Sequence, residues 1–146
     1  MKKSVVTPTT DTKEQIISAA ERLFAERGFS ATTLRNVVSE AGVNLAAVHY
    51  HFGSKEELFR AVVEQFSRPV VEQELILLRQ LQAGAETLSV EAILTAIFKP
   101  CLEFLARDRE ALLIRARFMG RCRIEPEPLK SMVEGEFAEV TEICLD

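Results

Sequence analysis

No apolar run in this sequence approaches the roughly 20 residues that a membrane-spanning helix needs, so no membrane partner is expected. The N-terminal pair Lys2 and Lys3 leads into threonine and proline, not into an apolar stretch. No secretory leader is visible, and a cytoplasmic location is expected. Cysteine is scarce: Cys101, Cys122 and Cys144 are far apart, odd in number and without CxxC spacing, which argues against a disulfide framework and reads as small buried apolar side chains. The chain also lacks a nucleophile elbow, a P-loop, a dinucleotide fingerprint and any metal-spaced cluster. Neither enzymatic activity nor a cofactor is expected, and no repeat of 20 to 50 residues is present.

What remains is a globular balance of 47% apolar and 27% charged residues over 146 positions, enough to bury a substantial core. The formal net charge is -4, yet residues 1 to 55 hold seven lysines and arginines against five acids. The acidic surplus therefore lies downstream, as in a slightly basic head on an acidic body.

Helical periodicity runs through the whole chain, which predicts an all-α fold. Residues 1–10 read as a flexible arm whose two lysines can touch phosphate or simply stay solvated. Asp11 or Thr12 can cap a first helix, with Glu14 and Gln15 in the capping-box relation, an apolar face of Ile16, Ala20, Leu23 and Phe24, and a stop at Gly28. The Thr32-Thr33 pair opens a second helix carrying Leu34, Val37, Val38 and Ala41. Gly42 suits a sharp turn, Val43 plugs the corner, and Asn44 caps a third helix from Leu45 to Phe52 that stops at Gly53. Ser54 and Glu57 then start a fourth helix with the stripe Leu58, Phe59, Val62, Val63 and Phe66.

The stretch TTLRNVVSEAGVNLAAVHYHFGSKEEL, from Thr32, thus has two short helices about a glycine turn, the layout of a helix-turn-helix DNA reader. At about 100° per residue, Val48 and Phe52 point inward, while Ala46, Ala47, His49 and Tyr50 lie on or beside the outward side. Small residues there let a helix approach base edges, and Leu45 or an alanine can meet a thymine methyl. His49 can address a base edge or a phosphate, and the Tyr50 hydroxyl suits a phosphate oxygen. Thr33 and Asn44 stand at helix N-termini, Lys55 adds a positive charge at the next one, and Arg35 can reach base or backbone. A purely structural three-helix corner is the competing reading. The triplet His49-Tyr50-His51 is not a metal site, because residues two apart on a helix point about 200° from each other.

The run AAERLFAERGFSATTLRNVVSEAGVNLAAVHYHFGSKEELF strongly resembles the N-terminal domain of the TetR family of transcriptional repressors, over about a third of the chain. The likeness is carried by LFAERGF, the Thr-Thr helix start, the AGV turn and the YHFGSKEEL tail. It departs at Asn44-Leu45-Ala46, where the family often has Ser-Lys-Gly, and at His49, where an aromatic residue is frequent. The resemblance implies a DNA-binding head over 11–58 and an all-helical effector-binding and dimerisation body over 59–146.

In that body Arg68-Pro69 predicts a break, followed by helical segments over about 70–82, 90–106 and 109–119. The middle one is apolar around much of its circumference, which predicts a central position, and Pro100 predicts a kink. An effector pocket for a small molecule would draw on Phe59, Val62, Val63, Phe66, Phe98, Cys101, Phe104, Phe118 and Met119, although core packing explains the same stripe. Arg115, Arg117, Arg121 and Arg123 read as a solvated face paired with Glu110, Glu125 or Glu127, or else as an anion site. From Pro128 the spacing of Val133, Phe137, Val140 and Cys144 gives a helical seam suited to a dimer. The chain stops at Asp146 without a terminator, so a longer native protein is expected. Together these features lead to the expectation of a homodimeric repressor on a palindromic double-stranded DNA operator, released by a small-molecule effector. The alternative is a DNA-bound adaptor whose body binds a protein partner.

Overall fold

Local signals place the helix ends before any tertiary contact is considered. The computed structural model describes residues 8–84, 89–107 and 109–145, and every regular element among them is a helix. These are α1 (Pro8–Ala31), α2 (Leu34–Ala41), α3 (Leu45–Phe52), α4 (Lys55–Gly84), α5 (Val90–Ala106), α6 (Arg109–Cys122), α7 (Leu129–Glu136) and α8 (Ala138–Leu145).

α1 begins at Pro8, earlier than the expected cap at Asp11 or Thr12, because proline is well suited to a first helical turn. The expected arm is therefore shorter at its inner end, and residues 1–7, including both lysines, lie outside the described residues. Gly28, at φ 80° and ψ 172°, breaks the helical geometry where the stop was expected, and one more turn follows it. Thr32 is fully buried, with its hydroxyl 2.8 Å from the Gly28 carbonyl and 3.2 Å from that of Leu23.

α4 corrects the expected break at Pro69: it is one helix of 30 residues. Proline removes only the bond to the Gln65 carbonyl, and Gln65 lies on the exposed side. The buried stripe from Leu58 to Phe66 continues through Val70, Glu74 and Leu78, so packing holds the helix together across the proline. The principal core joins α1, α2, α3, the first half of α4, α6 and α7. Its centre is aromatic, with Phe59 meeting Phe24 at 5.2 Å, Phe29 at 5.4 Å and Phe118 at 5.7 Å between ring centroids. This core crosses the division expected between residues 58 and 59.

α5 is not central. It buries Ala96 and Pro100, while Val90, Leu94, Phe98 and Leu102, spaced by fours, form an exposed stripe. Among the described residues α5 packs against α4 and α6, and the small side chains at 96 and 100 permit close approach on that side. Pro100 remains within the helix.

The segment after Pro128 forms two helices, not one, divided at Phe137. Val133 enters the principal core, and Val140 and Cys144 pack with Leu78 and Ala96 in a second cluster. Phe137 is half-buried at the junction. The seam expected for a dimer is thus largely used within the chain, where α7 and α8 both lie on α4. An Arg79–Glu139 ion pair at 2.6 Å reinforces that contact.

Candidate nucleic-acid interface

The corner between α2 and α3 is built by caps. Thr33 Oγ1 accepts from the Asn36 amide at 3.1 Å and donates to Asn36 Oδ1 at 2.7 Å, while the Thr33 amide donates to the same oxygen at 3.0 Å. The Thr33 hydroxyl and the Asn36 amide are consequently engaged within the box, and the Leu34 and Arg35 amides are the first-turn groups of α2 left to meet an anion. Gly42 adopts φ 67°, which a residue with a side chain rarely tolerates, and sends the chain into α3. Asn44 Oδ1 accepts from the Ala47 amide at 2.8 Å, so this side chain caps α3.

α3 divides as its periodicity requires. Val48 and Phe52 are buried against α1, α2 and α4. Leu45, Ala46 and His49 are exposed, and Tyr50 is 81% exposed. Ala47, expected on the outward side, is half-buried and packs against the core beside Val48. Arg35 is exposed on the first turn of α2. His49 Nδ1 lies 2.9 Å from the Gly53 carbonyl, which fixes the ring against the end of its own helix.

Lys55 departs from its expected role. Its Nζ donates to the Phe29 and Thr32 carbonyls, each at 2.9 Å, and sits 4.0 Å from the centroid of the Phe29 ring. A cation in the first turn of a helix opposes the helix dipole. Here it compensates by donating to two carbonyls where α1 ends, of which that of Phe29 also accepts from the Thr32 amide at 3.1 Å.

Two residues on the same junction read in the sequence as part of a solvated face or an anion site, and their role here was hidden because their partners are about a hundred positions away. Arg121 donates from Nε to the Ala25 carbonyl at 2.7 Å and from Nη2 to the Glu26 carbonyl at 2.8 Å. The Phe29 amide donates to Glu125 Oε1 at 3.0 Å. The basic run is accordingly not a uniform solvated face: Arg121 holds α1, Arg115 lies 5.2 Å from the Phe104 ring, and Arg117 and Arg123 are exposed. Burial pushes the Glu21 carboxyl up from its ordinary value, with Arg115 and Arg22 pulling the other way.

The expected pocket residues are not gathered around one cavity. Phe59, Val62, Val63 and Phe118 fill the principal core. Phe66 meets Phe104 edge-on at 5.2 Å, Cys101 and Met119 are half-buried, and Phe98 is 57% exposed on the outer stripe of α5. Near Cys101 and Cys144 lies Glu74, whose burial pushes its carboxyl up to about 7. Burial likewise pushes the Cys122 thiol up to about 12. Among the described residues no three His, Cys, Asp or Glu side chains are placed to hold a metal ion, and no helix is long and apolar enough to cross a membrane.

With this geometry in place, the likeness to known proteins falls where the corner lies. Residues 16–62 match the family of bacterial regulatory proteins, tetR family. The HTH-type transcriptional dual regulator CecR of Shigella flexneri is 36% identical over 122 residues, covering 78% of this chain and 52% of CecR. The chain thus spans about half the length of that relative. The multidrug binding protein EbrR, complexed with malachite green, shares the fold at TM-score 0.68 and 20% identity, over 90% of this chain and 72% of EbrR. SmeT in its triclosan complex does so at TM-score 0.65 and 23% identity, over 90% of this chain and 61% of SmeT. Through its N-terminal helix-turn-helix domain, the chain belongs to the TetR family of bacterial regulatory proteins.

Proposed function

We propose that this chain is the reading head, with part of the effector-responsive body, of a homodimeric transcriptional repressor that a small molecule releases from a palindromic operator. The observation that carries the reading is α3, a capped helix whose outer side offers Leu45, Ala46, His49 and Tyr50 to solvent while Val48 and Phe52 anchor it. Leu45, Ala46 and His49 would face base edges in the major groove, with Arg35, Tyr50 and the first-turn amides of α2 on phosphates. Asn44 caps α3 and Ala47 packs at its buried margin, while Thr33 caps α2 and Lys55 ties the start of α4 to the end of α1. Two heads on a two-fold axis would meet half-sites one helical turn apart, roughly 34 to 36 Å.

The effector half of the reading leans on the malachite green and triclosan complexes of EbrR and SmeT and on the continuity of α4 from head to body. A ligand releases DNA only through a difference in its affinity for the two states. Selection of bound DNA from a random pool, repeated with malachite green and triclosan as probes, tests the whole reading. A palindromic consensus that is lost with a probe supports it, and recovery of no consensus refutes it. The adaptor reading draws its support from the exposed stripe Val90, Leu94, Phe98 and Leu102, which suits an apolar partner surface.

A further inference from the structure

His49 differs from its neighbours on the outer face of α3 in having one ring nitrogen committed to a backbone partner. Its Nδ1 is 2.9 Å from the Gly53 carbonyl oxygen, which can only accept, so the Nδ1 proton must lie in that contact. The Gly53 amide returns a bond to the His49 carbonyl at 3.0 Å, so residue and cap hold each other at both ends. Gly53 reaches this arrangement at φ 78°, open to glycine and strained for other residues. With the proton on Nδ1, the neutral ring carries a lone pair on Nε2.

Leu45 and Ala46, four and three residues earlier on the same face, bring no hydrogen-bonding side-chain atoms. Tyr50 lies beside them, its ring edge-on to His51 at 5.0 Å between centroids. Of Leu45, Ala46 and His49, the three residues assigned to base edges, His49 alone brings a polar side-chain group. Major-groove edges offer it two complementary partners, the N6 amino group of adenine and the N4 amino group of cytosine. The N7 and O6 atoms of guanine and the O4 atom of thymine are acceptors and repel it.

We infer that His49 is the specificity-determining residue of α3 and reads, as a hydrogen-bond acceptor, the exocyclic amino group of adenine or cytosine. This rests on the proposal that α3 reads DNA and adds the chemical sense of the contact.

The full chain and its His49→Ala variant are each used to select DNA from a random pool, and the base pair whose preference depends on His49 is identified. Synthetic operators then replace that pair's adenine by purine, or its cytosine by 2-pyrimidinone, deleting the amino group. A second set replaces the pair's purine by its 7-deaza form, deleting the N7 acceptor. Loss of the amino group is expected to weaken wild-type binding by about fivefold and to leave His49→Ala unchanged, with the 7-deaza operators binding both proteins normally. Weakening of the wild type by the 7-deaza change, or its indifference to amino deletion, overturns the inference while leaving DNA reading intact. An unchanged consensus for His49→Ala also overturns it. A wild-type chain that enriches no sequence overturns the DNA-reading role and this inference with it.

Discussion

Lys55 donates from Nζ to the Phe29 carbonyl at 2.9 Å and lies 4.0 Å from the centroid of that same residue's ring. One cation therefore satisfies the end of α1 and packs on its aromatic side chain, with Thr32 supplying a second carbonyl. Replacing it by methionine keeps the apolar stem and removes both bonds. The expected cost is about 2 kcal/mol, read as a lowered melting temperature. A phosphate ligand without this role would instead leave the melting temperature unchanged and reduce the salt dependence of DNA binding by about one ion.

Arg121 and Glu125 reach the same junction from the other side of the sequence. Arg121→Met leaves the Ala25 and Glu26 carbonyls without their donor, at a cost of about 1 to 3 kcal/mol. Amide hydrogen exchange is expected to accelerate around residues 25–32 more than in α5. Uniform acceleration would mean that the contact carries no local role.

Glu74 gives the body a pH dependence of definite sign. Burial raises its carboxyl from 4.5 to about 7, so the folded chain binds the proton more tightly than the unfolded chain does. Its contribution is fully present below 4.5 and is lost as pH rises through about 7. Glu74→Gln is expected to be more stable than wild type at pH 8, by on the order of 3 kcal/mol at most, and to match it near pH 4. Urea denaturation at the two pH values decides this, and equal differences at both would refute it.

Two phenylalanines separate core from surface. Phe59→Ala removes the ring that joins head and body and is expected to cost about 3 to 5 kcal/mol, melting both together. Phe98→Ser, on the exposed stripe of α5, is expected to change stability by less than about 0.5 kcal/mol. Chemical denaturation followed by circular dichroism measures both. A large loss at Phe98 would place α5 inside the fold.

The sequence was most legible where structure is decided within four residues. Thr33, Gly42, Asn44, Gly53 and Ser54 each terminate or cap a helix at the expected place, because the side chain or glycine acts on its own backbone. Pro69 misled because its steric signal is local, whereas the stripe that keeps α4 continuous is packed by other helices. α5 misled because apolar content records what can be buried and not which face finds a neighbour. On α3 the outward set was legible from the helical angle apart from Ala47, which sits at the margin of the buried side. The roles of Lys55, Arg121 and Glu125 were hidden because carbonyls at a helix end accept from any cation the fold brings near.

The unbroken length of α4 has a mechanical meaning. Thirty residues at about 1.5 Å each make a strut of roughly 45 Å, with the reading corner at one end and the second apolar cluster near the other. A tilt of about 5° pivoting at Gly84 carries Lys55 through roughly 4 Å. That is slightly more than the roughly 3.4 Å step between successive base pairs, and because Phe59 packs on Phe118 beside the moving end, such a tilt has to carry α6 along with the corner.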